Sequence, residues 1–208
     1  MSNVNVLIVF YSRNGSTESL ANSIREGAQS EGAEVRMCRV RELVSDEVMA
    51  KAAGWRENAQ RMNAQYPAPS EADAEWADAI VFGTPTRFGN VSSELKAFVD
   101  SLGGLWFQGK LVGKVGSAFT STSTPHGGNE STIITMYNFM AHLGLIIVPL
   151  GYADPAIFAA GTPYGSSSIS GQNNTPPTAE DLAVARFQGR RVAKVAQALK
   201  PSGETRTK

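Results

Sequence analysis

Val4-Asn5-Val6-Leu7-Ile8-Val9-Phe10-Tyr11, followed at once by Ser12-Arg13-Asn14-Gly15-Ser16-Thr17, decides the fold. The first eight residues are largely apolar, lack clean alternation and are too few for a helix, which suits a strand covered on both faces. The next six, Arg13 apart, are small residues that carry hydroxyls or permit turns. Beyond them Thr17–Ser30 places Leu20, Ile24 and Ala28 at helical spacing and stops before Gly32. Strand, polar turn and helix in that order begin a βαβ unit.

The same alternation recurs along the chain. Apolar, β-branched runs at Ala33–Val40, Ala79–Phe82, Lys114–Phe119 and Gly144–Leu150 read as four further strands. Helical patterns lie at Val91–Leu102, Asn129–Leu143 and Thr178–Leu199, the last with Thr178 as N-cap and Asp181 three residues on. Five alternations predict an α/β fold with a parallel, doubly wound sheet. Two stretches interrupt it: Ser45–Ala74, with a short helix expected over Asp46–Ala53, and the Gly-, Ser-, Pro- and Asn-rich Gly151–Pro177.

Composition narrows the function. In 208 residues there are 19 basic and 19 acidic side chains, so charge makes no case for nucleic acid or an anionic membrane. The low charged fraction, 18%, hints at surface covered by subunit contacts. One cysteine, Cys38, excludes a disulfide framework, and two histidines are too few for a His-rich metal centre. Cys38 lies in an expected core strand and reads as an apolar filler. No apolar run approaches membrane-spanning length, and the expectation is a cytoplasmic protein.

Three polar loops fall at the carboxyl ends of the first, third and fourth strands, where open α/β sheets bind ligands. The Ser12–Thr17 turn supplies hydroxyls and a helix N-terminus, an arrangement that binds phosphate, although an ordinary capped turn has the same composition. It has neither the Lys of a Walker loop nor the Gly-x-Gly-x-x-Gly of a dinucleotide site. Arg13 is open to two readings, a ligand contact or a solvated loop cation. Gly83–Asn90 can present backbone groups to a flat heterocycle beside Arg87 and Phe88, and Thr120–Gly128 offers hydroxyls to a polar ring edge.

Four motifs then make the pattern specific. Gly83-Thr84-Pro85-Thr86-Arg87-Phe88-Gly89-Asn90, Gly103-Gly104-Leu105-Trp106, Ile147-Val148-Pro149-Leu150-Gly151-Tyr152 and Gly161-Thr162-Pro163-Tyr164-Gly165 together resemble the WrbA family of flavodoxin-like NAD(P)H:quinone oxidoreductases. The resemblance runs from about Val4 to Leu199 and includes the extra segment after the second strand. It implies one flavodoxin-like domain over residues 1–200, with a five-stranded parallel sheet of order 2-1-3-4-5 and 201–208 a flexible tail. FMN is the implied bound cofactor, NADH or NADPH the co-substrate, and a homotetramer the implied assembly. The implied reaction is two-electron reduction of quinones, with hydride passing through flavin N5 in ping-pong order and no nucleophilic side chain.

The resemblance also assigns residues. Ser12, Arg13, Asn14, Gly15, Ser16 and Thr17 would hold the FMN phosphate. Thr84, Pro85, Thr86, Arg87, Phe88 and Gly89 would line the isoalloxazine, and Ser121, Thr122, Ser123, Thr124, His126 and Gly127 its pyrimidine end. Trp106 would wall the substrate position, and His142 would reach the flavin site of a neighbouring subunit. Three departures stand out: Asn14 where family members often have a Tyr that stacks on the nicotinamide nucleotide, a third loop one residue longer, and Leu143 where a second His can occur. The competing readings are a single-electron carrier of the flavodoxin type and an FMN-binding regulatory protein. The balanced charge argues against the carrier, because carriers of that kind dock through acidic surfaces.

Overall fold

The computed structural model describes residues 3–200. The expected tail at 201–208 lies outside the described residues. In chain order the elements are β1 (Asn5–Phe10), α1 (Ser16–Ser30), β2 (Glu34–Arg39), α2 (Asp46–Met49), α3 (Trp55–Gln65), α4 (Glu71–Trp76), β3 (Ala79–Pro85), α5 (Ser93–Ser101), α6 (Gly103–Phe107), β4 (Val115–Thr122), α7 (Asn129–His142), β5 (Ile146–Ile147), α8 (Ala156–Ala160), β6 (Ser167–Ile169) and α9 (Ala179–Leu199).

Among the described residues all strand pairs are parallel, and the order is β2-β1-β3-β4-β5, as the flavodoxin-like reading expects. The absence of alternation in β1 has the expected cause. Val6, Ile8 and Phe10 enter a core beneath α1 and α9, while Leu7, Val9 and Tyr11 enter a second core beneath α5 and α7. Helices α1 and α9 pack with their backbones nearly touching. A Cβ built on Gly27 would lie 1.9 Å from the Arg186 carbonyl oxygen, and one on Gly189 would lie 1.9 Å from that of Ile24. The N-cap of α9 is the expected capping box, with Thr178 and Asp181 exchanging side-chain and backbone hydrogen bonds. Cys38 is a buried free thiol.

The structure adds elements that the sequence pattern did not show. The expected strand Gly144–Leu150 pairs only at Ile146 and Ile147, opposite Val115 and Gly116. The chain leaves the sheet at Pro149, which has no amide to donate, and returns as β6. There Ser167–Ile169 pair with Thr120–Thr122 on the side of β4 away from β3. One edge position is thus shared by two short strands, with residues 148–166 as an excursion between them. The stretch 45–74 is largely helical. The helix expected over Asp46–Ala53 closes after Met49, and α3 follows, its Trp55, Ala59 and Met62 buried. Among the described residues no helix is long and apolar enough to cross a membrane.

Candidate functional site

Parallel strands deliver the loops after β1, β3 and β4 to one edge of the sheet, where they enclose a cavity of about 180 Å³. Ser12, Arg13, Asn14, Ser16 and Thr17 form one wall, Pro85, Thr86 and Arg87 a second, and Ser121, Thr122 and Ser123 a third. Ser170 and Asn174 complete it. These last two were not expected, because they come from the turn after β6.

The first loop is shaped by Gly15, whose φ of +99° lies in the left-handed region that glycine tolerates. Ser12 Oγ accepts from the Gly15 amide at 3.1 Å and closes the turn. Gly15 stands at the N-cap of α1 with no side chain to cap it. Consequently the amides of Ser16 and Thr17 donate to nothing among the described residues, the condition of a helix start left open for an anion. Ser12, Ser16 and Thr17 are buried. Beneath them Arg39, fully buried and held by Glu42 and Asn63, donates Nη2 to the Ser12 carbonyl at 3.0 Å. Arg39 is a support that the sequence reading missed.

The second loop turns sharply. Arg87 and Asn90 exchange backbone hydrogen bonds of 2.9 and 3.0 Å around Phe88 (φ +54°) and Gly89 (φ +74°), the signature of a two-residue primed turn. The Phe88 ring is thereby fully exposed. Thr84 is fully buried and structural: its Oγ1 accepts from the Ser92 amide at 3.1 Å. Thr86 Oγ1 accepts from Thr132 at 2.8 Å and from the Gly89 amide at 3.2 Å.

The third loop is tied to both others. Thr17 and Ser121 share a buried hydroxyl contact of 2.9 Å, and the Thr86 amide donates to the Ser121 carbonyl at 2.8 Å. Thr122 Oγ1 donates to the Thr124 carbonyl, which also accepts from the Gly127 amide. Thr124, His126 and Gly127 stand outside the cavity wall, as do Gly15, Thr84, Phe88 and Gly89.

The cavity is electropositive. Arg13 and Arg87 line it, neither forms an ion pair among the described residues, and no lining residue is acidic. Glu18, in the first turn of α1, is claimed by Arg61 and the Tyr66 hydroxyl. Burial pushes the Tyr11 phenol up to about 12, reinforced by Glu94 and Glu42, so it stays protonated beneath the first loop. Such a cradle fits a phosphate monoester: open amides, buried hydroxyls and guanidinium groups without competing carboxylates.

Trp106 and His142 are elsewhere. Helix α7 starts beside the third loop and carries His142 away over 14 residues, about 20 Å at the α-helical rise. His142 and Trp106 meet instead on a separate exposed depression of about 210 Å³, with Lys96, Asp100 and Phe139. Within one chain neither lines the cavity. Asn14 is also engaged differently from a stacking residue, donating Nδ2 to Asn174 Oδ1 at 2.6 Å.

Comparison with known proteins agrees with this geometry. Residues 4–156 match the family described as NADPH-dependent FMN reductase. The chain is 44% identical over 201 residues to an NAD(P)H dehydrogenase (quinone) of Aromatoleum aromaticum, covering 93% of this chain and 96% of that one. It is 44% identical over 202 residues to NAD(P)H dehydrogenase (quinone) 3 of Rhizobium meliloti, covering 93% and 92%. The crystal structure of a WrbA-like flavodoxin from Agrobacterium tumefaciens superposes with a TM-score of 0.67 at 27% identity, covering 95% of this chain and all of that one. Sheet order, cavity and sequence identity converge: the chain belongs to the NADPH-dependent FMN reductase family, with NAD(P)H dehydrogenases (quinone) and a WrbA-like flavodoxin among its relatives.

Proposed function

We propose that the protein binds FMN noncovalently at the carboxyl edge of its sheet and with it transfers two electrons from NADH or NADPH to a quinone. The observation that carries this reading is the first loop. Its uncapped amides and buried Ser12 and Thr17 hydroxyls face a cavity whose only charged wall residues, among the described residues, are Arg13 and Arg87. The names of relatives at 44% identity support NAD(P)H and quinone as the substrates. Bound FMN would accept a hydride from one substrate and deliver it to the other.

The chain's own part is binding and orientation. Ser12, Ser16, Thr17 and the loop amides take the phosphate, Pro85 to Arg87 and the exposed Phe88 flank the ring, and the Ser121–Gly127 loop serves its polar edge. Trp106 and His142, which lie far from their own chain's cavity, are assigned to the site of a neighbouring subunit in a homotetramer. The working unit is a single domain over residues 1–200, acting in the cytoplasm, where NAD(P)H is supplied. A visible spectrum after FMN addition, followed by NADH and NADPH consumption with benzoquinone, tests the proposal. A flavin-free protein, or a flavoprotein without steady turnover, contradicts it.

A further inference from the structure

Arg13, a cavity residue, is contacted from the extra segment after β2. Its guanidinium carbon lies 3.7 Å from the centroid of the Trp55 ring. Trp55 opens α3 in the extra segment, is buried, and packs with Met49, Ala52 and Ala59 in a small core of its own. That core is anchored next to the first turn of α1. Arg61 pairs with Glu18, and the Tyr66 hydroxyl donates to Glu18 Oε1 at 3.1 Å. Glu18, the acidic residue of that first turn, is therefore occupied by Arg61, and Arg13 has no carboxylate partner among the described residues.

Stacking has a directional consequence. A guanidinium whose face lies on an indole keeps its N–H edge free for oxygen acceptors, and the contact holds a side chain that otherwise has large rotamer freedom. An ion-paired arginine has its edge already taken. Arg13 is thus held at the cavity rim with its phosphate-binding edge available.

We propose that Trp55 is a positioning residue for the cofactor phosphate: by stacking on Arg13 it orders that guanidinium over the first loop and so makes the site select a phosphorylated flavin over an unphosphorylated one. The inference rests on the FMN reading above. It assigns the extra segment a role in cofactor recognition, through one aromatic face rather than through a direct contact.

The test is titration of apoprotein with FMN and with riboflavin, for wild type, Arg13→Ala, Trp55→Leu, Trp55→Phe and the Arg13→Ala/Trp55→Leu double variant. Leucine keeps apolar bulk against Met49 and Ala59 and removes the π face. The expected result is FMN affinity reduced about 10- to 100-fold in Arg13→Ala, the scale of a charged hydrogen bond. In Trp55→Leu the expected loss is about 3- to 30-fold, with riboflavin affinity unchanged in both. Trp55→Phe recovers most of the affinity, and the double variant is no weaker than Arg13→Ala alone. The salt dependence of FMN binding becomes shallower in Arg13→Ala.

Equal losses for FMN and riboflavin overturn the proposal, as does additivity in the double variant or a Trp55→Leu protein that binds like wild type. A variant effect confined to the KM for NADPH, with FMN affinity intact, assigns the cation to the nucleotide and also overturns it. Should Trp55→Leu fail to fold, Arg13→Ala and Trp55→Phe still decide: an Arg13→Ala protein that keeps the wild-type FMN preference sinks the idea. A wild type that binds both flavins equally instead defeats the underlying FMN reading.

Discussion

The Thr17 and Ser121 hydroxyls meet at 2.9 Å in a buried contact that joins the first loop to the third across the mouth of the sheet. Neither has another side-chain partner among the described residues, and both line the cavity, so each keeps hydrogen-bonding capacity for a ligand oxygen. Thr17→Ala is expected to weaken FMN binding by about 1–3 kcal/mol, the scale of a lost hydrogen bond to a charged group. Riboflavin, lacking the phosphate, should be little affected. Flavin fluorescence titration checks this; a loss shared equally by both flavins would place Thr17 outside the phosphate site.

Trp106 and His142 share an exposed depression remote from the cavity of their own chain. If they complete a neighbour's site, nicotinamide and quinone use one flavin face in turn, and initial rates at several quinone concentrations should give parallel lines. Trp106→Ala is expected to lower kcat/KM for quinone about 2- to 13-fold while leaving FMN affinity unchanged, the range of an aromatic contact. Sedimentation velocity belongs beside the kinetics: a fully active monomer excludes the shared site, and intersecting lines exclude the single face.

Gly27 and Gly189 let α1 and α9 approach until any Cβ would strike a backbone carbonyl, and backbone yields less readily than a side chain. Gly27→Ala should therefore destabilise the protein by about 1–3 kcal/mol or more, as overpacking does. Gly15→Ala meets no atom within 4 Å and carries only the strain of its positive φ, about 1–2 kcal/mol. Thermal melts of the two variants should rank them in that order, and a Gly27→Ala protein as stable as wild type would refute the close-contact account.

Burial pushes the Cys38 thiol up to about 11, with the Asp73 carboxylate adding to the effect. The unfolded thiol titrates near 8.5. A raised acid favours its protonated form in the fold, so this stabilisation is complete below about pH 8.5 and is lost as pH rises through 11. Native protein should resist thiol reagents at pH 8 and react only on unfolding. Cys38→Ala should show a smaller decline in stability between pH 8 and 10.5 than wild type; an identical decline would remove Cys38 from the account.

What the sequence shows of this fold follows from where information is local. Strands β1 and β3 and helices α1, α5, α7 and α9 are announced by apolar spacing because their own residues decide which face is buried. Helix α3 hides because three buried residues, Trp55, Ala59 and Met62, are diluted by polar neighbours. Strand β6 hides because Ser167-Ser168-Ile169 becomes a strand only through its register with β4. The first loop is legible as an anion site, since a strand, a glycine and a helix start suffice to open its amides. Asn174 is not, because its contact with Asn14 spans 160 residues and exists only once the chain is folded. Arg39 likewise carries no local sign that it supports Ser12 from below.

The divided edge strand has a consequence for how the molecule can be rebuilt. β5 and β6 each keep their own hydrogen bonds to β4, and the excursion between them rests on a separate small cluster of Leu150, Ile157 and Val184. Chain length at that joint is therefore decoupled from sheet register. Val148 and Ser166, at the two ends of the excursion, stay bonded to Gly116 and Thr120 of β4, so local opening is confined to the stretch between them. The joint is accordingly a natural seam, where loops can be shortened, lengthened or grafted without disturbing the first three strands.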